Sequence, residues 1–454
     1  MLQKETKFCF LFYFVRKHWI VNLTRIWIGK RYYMIKKLNK AKKKLLIYAH
    51  YYTPDVASTG QILKELAEGM LDAFDITIIC VVPSYTGKVA GEYRTKMFYK
   101  EEINGVKIIR IRVPEFSKNN KISRIKNILA YFFGAMIATT KVGNMDYVYS
   151  ISQPPILGGL LGVWGKWMKG AKYIYNIQDF NPEQTMAVGY SKNKIVLNAM
   201  MFFDKYSCKC ADKVIVVGRD MVETLKGRFK SKKVPNHAFI NNWIDENEIY
   251  PLSPDNEKVV SFKKKYGLEN KFVIMYSGNI GLYYDLENLM HVIKRFKDRD
   301  DIVFAFVGEG SILDKLVNYK QKNNLDNVKF IPYQDKADLV YSLNAGDVHW
   351  CVSAKGIKGV SVPSKLYGIC GAQRPVLAVL EPGAEARLII EETQCGYIAD
   401  PGNYKEIETI IDRVLKDKGT SKLNEMGRRG RSYLERNLTK DVSIQKYIEE
   451  IKST

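Results

Sequence analysis

The chain has 454 residues, 46% of them hydrophobic, which suits two or three domains with sizeable cores and excludes a disordered or fibrous protein. Its seven cysteines include no C-x-x-C pair, and His18, His50, His237, His291 and His349 are scattered, so no disulfide framework or metal site is legible and a reducing cytosol is the natural setting. The formal charge of +23 is uneven: residues 1–43 hold twelve Lys and Arg against one Glu, a net +11, which leaves a moderately basic body.

That first segment contains an eight-residue apolar run, Phe8 to Val15, followed by aromatics interleaved with Lys and Arg. A spanning helix needs about 20 apolar residues, so the run is too short, and no small-residue cleavage site follows it. Two readings stay open. The segment lies on an anionic membrane surface with Trp19 and Trp27 at the interface, or it is an upstream extension and Met34 is the true start.

From Lys44 the chain alternates β-rich apolar runs with helical periodicity. Strands are expected at KLLIYAH, ITIICVV, VKIIRIRV, YVYSIS, KYIYNIQD and KVIVVG, and helices near 61–73, 122–141, 156–169 and 193–211. The pattern is that of a parallel, doubly wound α/β sheet. Where KLLIYAH hands over to its helix, Ser58-Thr59-Gly60 forms a small bend suited to an anionic ligand or to a plain capped βα turn. The stretch 118–141 joins a basic lead to an apolar helix. Rossmann-like domains bury such helices, which assigns Ile128 to Ile137 to a core, while the basic lead keeps docking on anionic lipid open.

At 234–256 turn residues and prolines interrupt the pattern and mark a domain boundary. The grammar then restarts: KFVIMYSGNIG is again strand and Gly-rich bend, followed by an amphipathic helix and then IVFAFVGEGSILDKL, VKFIPYQ, DVHWCVSAKG, PVLAVL and GYIAD. Two doubly wound sheets, each opening on such a bend, place a ligand in the crevice between them. No G-x-x-x-x-G-K-[ST] occurs, and Gly308-Glu309-Gly310 lacks the third glycine of a dinucleotide fingerprint. Asp298-Arg299-Asp300 precedes its strand instead of closing one, as a solvated turn does and a metal-holding acidic pair does not. The remaining chemistry lies in 353–379, where Lys355, Lys358 and Lys365 sit in or beside a Gly-rich loop able to converge on a diphosphate. Lys355 reads equally well as an ordinary surface lysine.

In order along 44–450, the stretches YYTPDVASTGQ, SISQPPILGG, YNIQDFNPEQTMAVG, ADKVIVVG, NNWID, YSGNIGLYYDLENL, FVGEGS, VPSKLYG and ETQCGYIADPGN resemble the retaining nucleotide-sugar transferases of glycosyltransferase family 4. Within that family they are most similar to the WbuB-like enzymes of bacterial O-antigen, capsule and colanic-acid synthesis. Residues 1–43 have no counterpart in the resemblance. It implies the GT-B fold, two Rossmann-like doubly wound parallel-sheet domains facing across a cleft: an acceptor-side domain at 44–240, a sugar-nucleotide domain at 241–430, and a C-terminal helix at 431–454 crossing back to the first.

By that resemblance Gly60 lets the first loop approach the donor diphosphate, Gly278, Asn279 and Gly281 form the facing loop, and Lys358 and Lys365 neutralise the leaving phosphates. Asp179 and Glu183 line the acceptor side, although Asp179 also reads as a helix N-cap. The chain departs from the family in two places. Gly368 stands where many members carry the ribose-binding Glu, which makes Glu385 the candidate substitute, and GNIGLYYD supplies none of the basic residues many relatives place there. The implied reaction moves a sugar, such as the N-acetylated deoxyhexosamine L-FucNAc, from a UDP-type donor to a polyprenyl-diphosphate-linked saccharide at the cytoplasmic face of the membrane. It uses neither a cofactor beyond the sugar nucleotide nor a metal, and it involves no nucleic acid. A nucleotide-sugar 2-epimerase of the same fold and a non-catalytic basic membrane- or nucleic-acid-binding protein are the alternatives; paired Gly bends argue against the latter.

Overall fold

The computed structural model describes residues 42–55, 58–117, 120–187, 189, 192–230 and 233–454. The basic, aromatic segment read as a membrane-surface element or an upstream extension thus lies, up to residue 41, outside the described residues.

Strands β1 (Lys43–Tyr48), β2 (Phe74–Val81), β3 (Phe98–Ile103), β4 (Val106–Ile111), β5 (Tyr147–Ile151), β6 (Lys172–Ile177), β7 (Lys213–Val216) and β8 (His237–Phe239) form one sheet, ordered β3-β4-β2-β1-β5-β6-β7-β8. Its helices are α1 (Ser58–Gly69), α2 (Lys121–Thr140), α3 (Leu157–Lys169), α4 (Glu183–Ala187), α5 (Lys194–Cys210) and α6 (Arg219–Phe229). Buried runs such as Leu45–Tyr48 and Ile76–Val81 are apolar on both faces because helices cover both sides of the sheet. Two strands were illegible in the pattern. β3 pairs antiparallel with β4 and exposes alternate residues at the sheet edge, and β8 is three residues long inside the segment read as boundary.

The second sheet contains β9 (Phe272–Ser277), β10 (Ile302–Val307), β11 (Val328–Ile331), β12 (Val348–Val352), β13 (Val376–Val379) and β14 (Gly396–Ala399), all parallel, in the order β11-β10-β9-β12-β13-β14. Around it pack α7 (Glu257–Tyr266), α8 (Leu286–Ile293), α9 (Leu313–Asn323), α10 (Leu339–Ala345), α11 (Lys365–Gly371), α12 (Glu385–Thr393), α13 (Tyr404–Lys416) and α14 (Ser421–Asn437). The chain crosses back at Leu438–Thr439, after α14, whereas position 431 falls inside that helix. α15 (Lys440–Lys452) then buries Ile444, Tyr447 and Ile451 against the first sheet. Each such side chain contributes about 1.5–3 kcal/mol of transfer free energy, and Asn176 Nδ2 donates to Tyr447 Oη at 3.0 Å.

Both sheets change winding direction beside their first strand. In the first sheet the reversal lies between β1 and β5, and in the second between β9 and β12. Loops leaving the C-terminal ends of such a pair diverge and leave a crevice. The loops after β1, β5, β9 and β12 therefore carry the site.

One expected core element is buried on one side only. α2 buries Tyr131, Gly134, Ala135 and Ala138, while Leu129, Phe133 and Ile137 point outward. Within Ile128 to Ile137 the contact with the sheet is made by Tyr131, Gly134 and Ala135, Gly134 letting the helix approach Ile111 closely, while Leu129, Phe133 and Ile137 are left outside.

Candidate active site

On the second-domain side the site begins with the loop after β9. Gly278 has φ +138°, a conformation that strains any residue with a Cβ, and a Cβ there would fall 2.8 Å from Lys365 Cε. Gly308, also at φ +138°, allows the neighbouring loop to come closer still: its Cβ would meet the Gly278 carbonyl oxygen at 2.1 Å. The Asn279 side chain lies beside Gly281, and the Asn279 backbone carbonyl accepts from Tyr276 Oη at 2.6 Å.

Lys365, the first residue of α11, enters the space Gly278 leaves. Its Nζ lies 3.6 Å from the ring centroid of Tyr284 and 5.0 Å from that of Tyr276. No ion pair to Lys365 occurs among the described residues. Burial lowers its ammonium to about 8, with Cys351 opposing that effect. A partly buried cation, held by ring faces and lacking a carboxylate, is poised for an incoming anion.

Across the crevice, hydrogen bonds join the N-terminal bend to the opposite domain. Thr59 Oγ1 donates to Gln153 Oε1 at 2.9 Å, Gln153 and Ser361 both bond the Asp179 carboxylate, and Asp179 and Ser361 form an antiparallel bridge. Burial raises the Asp179 carboxyl above the ordinary range while these bonds restrain the rise. Its charge in turn adds to burial in pushing the Tyr284 phenol up to about 12. Asp179 thus stands near the aromatic seat of Lys365, between the domains, and does not cap a helix: α4 starts four residues later.

The other expected residues are placed differently. Gly60 lies in the first turn of α1, where a Cβ would sit 3.3 Å from the Tyr51 carbonyl oxygen; it lets the loop pack on the helix. Glu183 spends both oxygens on Arg228, at 2.7 and 2.5 Å, so it holds α6 instead of lining an acceptor site. Glu385 is 1% exposed. One of its oxygens accepts from Arg219 N and Nε at 2.8 and 2.9 Å and the other from Asn241 Nδ2 at 3.0 Å. It ties the domains together and does not replace the missing ribose acid, because its hydrogen-bonding capacity faces protein. Lys358 is exposed, with Nζ over the turn at Gly383, and Lys355 is exposed beside it. Arg299 pairs with Asp301 at a turn before β10. Among the described residues no group of three or more His, Cys, Asp or Glu could hold a metal ion.

Residues 260–433 match the family model described as Glycosyl transferases group 1. The chain is 26% identical over 338 residues to the probable glycosyltransferase WbjE of Pseudomonas aeruginosa, covering 74% of this chain and 82% of that protein. It is 24% identical over 418 residues to the putative colanic acid biosynthesis glycosyl transferase WcaI of Escherichia coli, covering 90% and 100%. The chain is a glycosyltransferase. Its fold is GT-B, and among solved structures it is similar to sucrose-phosphate synthase from Thermosynechococcus elongatus, with TM-score 0.72, 13% identity and 91% and 100% coverage. It is likewise similar to Anabaena HepE in complex with UDP and glucose, with TM-score 0.66, 14% identity and 91% and 100% coverage.

Sequence reasoning missed the aromatic half of this glycosyltransferase site. Tyr276 and Tyr284 stand in YSGNIGLYY, three residues before and three residues after Asn279-Ile280-Gly281, yet a tyrosine beside a glycine bend carries no signal of its own. Gln153 and Ser361 were equally silent, because their role depends on two loops meeting from different domains.

Proposed function

We propose that this enzyme transfers a sugar, with retention of anomeric configuration, from a UDP-type donor to a polyprenyl-diphosphate-linked saccharide in cell-surface polysaccharide synthesis, as a family 4, WbuB-like enzyme. The observation that carries the reading is the unpaired, partly buried ammonium of Lys365 at the crevice between the domains. The similarity to WcaI, named for colanic acid biosynthesis, supports the pathway class, and the HepE complex supports UDP as the nucleotide.

Transfer from a sugar nucleotide builds negative charge on the departing diphosphate while the sugar becomes oxocarbenium-like. Lys365 offsets that charge from a partly buried seat against two tyrosine rings, so less reorganisation is needed as the bond breaks. Lys358 adds a second, solvated cation on the same loop. Asp179, anchored by Gln153 and Ser361, borders the acceptor side. For retention the acceptor hydroxyl attacks from the face the diphosphate leaves, and a leaving phosphate oxygen takes its proton, so no protein nucleophile is required. Charge neutralisation by lysines makes the reaction independent of a metal ion.

The test is a panel of sugar nucleotides, UDP-linked N-acetylated deoxyhexosamines such as UDP-L-FucNAc included, screened for protection against thermal unfolding and then for transfer to a lipid-linked acceptor analogue. The expected result is protection by a UDP-sugar and a new glycosidic bond with unchanged rate after exhaustive chelation. Strict dependence on added Mg²⁺ or Mn²⁺ would remove the metal-independent mechanism. Conversion of the free sugar nucleotide to its 2-epimer, without a glycosidic product, would establish the epimerase instead.

A further inference from the structure

Three helices, α2, α3 and α5, lie side by side on one face of the first sheet. Trp164 Nε1 on α3 donates to the Met136 carbonyl on α2 at 3.2 Å, and Lys166 Nζ on α3 donates to the Cys210 carbonyl at the end of α5 at 2.9 Å. The rings of Trp167 on α3 and Tyr206 on α5 meet edge to face at 6.5 Å. The three outer faces therefore form one continuous surface.

That surface is apolar where a water-facing helix is polar. On α2, Ile122, Ile125, Leu129, Phe133 and Ile137 recur at helical spacing and all point outward. Trp167 is 62% exposed, and on α5 Ile195 is 81% and Phe202 66% exposed. Contiguous apolar surface of this kind marks a place where something binds.

The charges on the same helices identify the occupant. α2, α3 and α5 together carry eight Lys or Arg and a single acid, Asp204. Asp204 is buried and bound to Arg228, so it contributes no negative charge to the surface. A second copy of the chain would set two uniformly basic faces against each other. Lys166 is paired with Asp212 just past α5; large apolar side chains framed by the remaining cations fit the boundary between acyl chains and anionic headgroups. Among the described residues no helix is long and apolar enough to cross a membrane, so the contact is made by lying on the surface.

We propose that the outer face of α2, α3 and α5 is a docking surface for an anionic phospholipid bilayer. The proposal deepens the lipid-linked-acceptor reading, on which it rests. α2 follows β4 and α3 follows β5, so the docked face belongs to the domain that carries Thr59, Gln153 and Asp179. Docking brings the acceptor half of the crevice to the membrane and leaves the second domain on the aqueous side.

The experiment compares sedimentation of the full chain with vesicles of phosphatidylcholine alone and vesicles containing phosphatidylglycerol. The variants are Phe133→Asp/Phe202→Asp and the milder Phe133→Ser/Phe202→Ser, both checked for wild-type urea midpoints. Wild type should prefer the anionic vesicles at least tenfold, and the substitutions should lower that binding by roughly tenfold or more while transfer to a water-soluble acceptor analogue stays unchanged. Folded variants that still bind like wild type would overturn the proposal, as would equal wild-type binding to neutral vesicles. A wild-type dimer that the substitutions split would reassign the face to self-association. If vesicle binding falls as expected but wild type transfers no sugar from any nucleotide donor, the enzymatic reading fails and the docking surface stands.

Discussion

Two cations packed against aromatic rings, the buried Arg228 and the partly buried Lys365, have opposite surroundings. Arg228 lies over Phe180, 4.2 Å from the ring centroid, with Glu183 in a forked pair and Asp204 on its other side. Those carboxylates more than repay its burial and hold the guanidinium well above its ordinary range. Lys365 lies over Tyr284 with no carboxylate, and burial pulls it down. A buried cation whose charge is answered by protein is structural. One whose charge is left open awaits a ligand.

The strongest way to break the comparison is Arg228→Met. It leaves Glu183 and Asp204 without their counter-charge in a buried site, and unpaired buried carboxylates cost about 3–5 kcal/mol. The urea midpoint should fall steeply, and any loss of transfer should follow the loss of folded protein. A variant that unfolds at the wild-type urea concentration would show that Arg228 is not holding α6.

Lys365→Met should do the reverse. Removing the leaving-group cation should lower kcat/KM by roughly 10²-fold or more, since a charge-assisted contact to a developing anion is worth on the order of 2–4 kcal/mol. Stability should stay level or rise, because methionine fills the tyrosine-lined slot without the penalty for desolvating a charge. Loss of folding in this variant would put Lys365 in the same class as Arg228.

Titration sharpens the contrast without mutation. Lys365 is depressed to about 8, so kcat/KM should be flat below that value and fall as pH rises through it, by about tenfold between pH 7 and 9. In the donor complex the diphosphate favours the charged form, so the fall in kcat should come at higher pH. Between about 8 and its ordinary 10.5 the folded chain has released this proton while the unfolded chain keeps it; this group's contribution to stability therefore rises with pH across that window. Lys365→Met should abolish both effects. A wild-type profile without a fall near 8 would remove Lys365 from the rate-determining interaction.

The two cations also differed in how far they could be read from the sequence. Lys365 follows a Pro-Ser helix start in a Gly-rich loop, so local chemistry pointed to it. Arg228 is one basic residue in a Lys- and Arg-rich helix, and nothing local distinguishes it; its partners lie 24 and 45 residues away. Glu183 and Glu385 were misplaced for the same reason: an acid in a motif is visible, but the arginine that occupies it comes from another element. The doubly wound sheets were legible because apolar runs buried on both faces leave a strong pattern. Edge strand β3 and short β8 leave a weak one, and the outward stripe of α2 is indistinguishable by periodicity from an inward one.

The smallest effect belongs to the exposed lysines on the same loop. The backbone N–H groups of Gly356 and Lys358 donate to Glu381 Oε2 at 2.9 and 3.0 Å, so the loop keeps its shape when either neighbouring side chain is shortened. What is lost is charge alone, and exposed charges act through water. Lys358→Ala should therefore lower kcat/KM only several-fold, in proportion to a contact worth up to about 1 kcal/mol, and raised salt should erase much of that difference. Lys355→Ala should cost less than about twofold, as expected for a solvated side chain. Measured beside Lys365→Met on one sugar nucleotide, the three substitutions form a series in desolvation. If the exposed lysines cost as much as Lys365, enclosure against the tyrosines is not what gives a cation its role here, and the contrast with Arg228 loses its meaning.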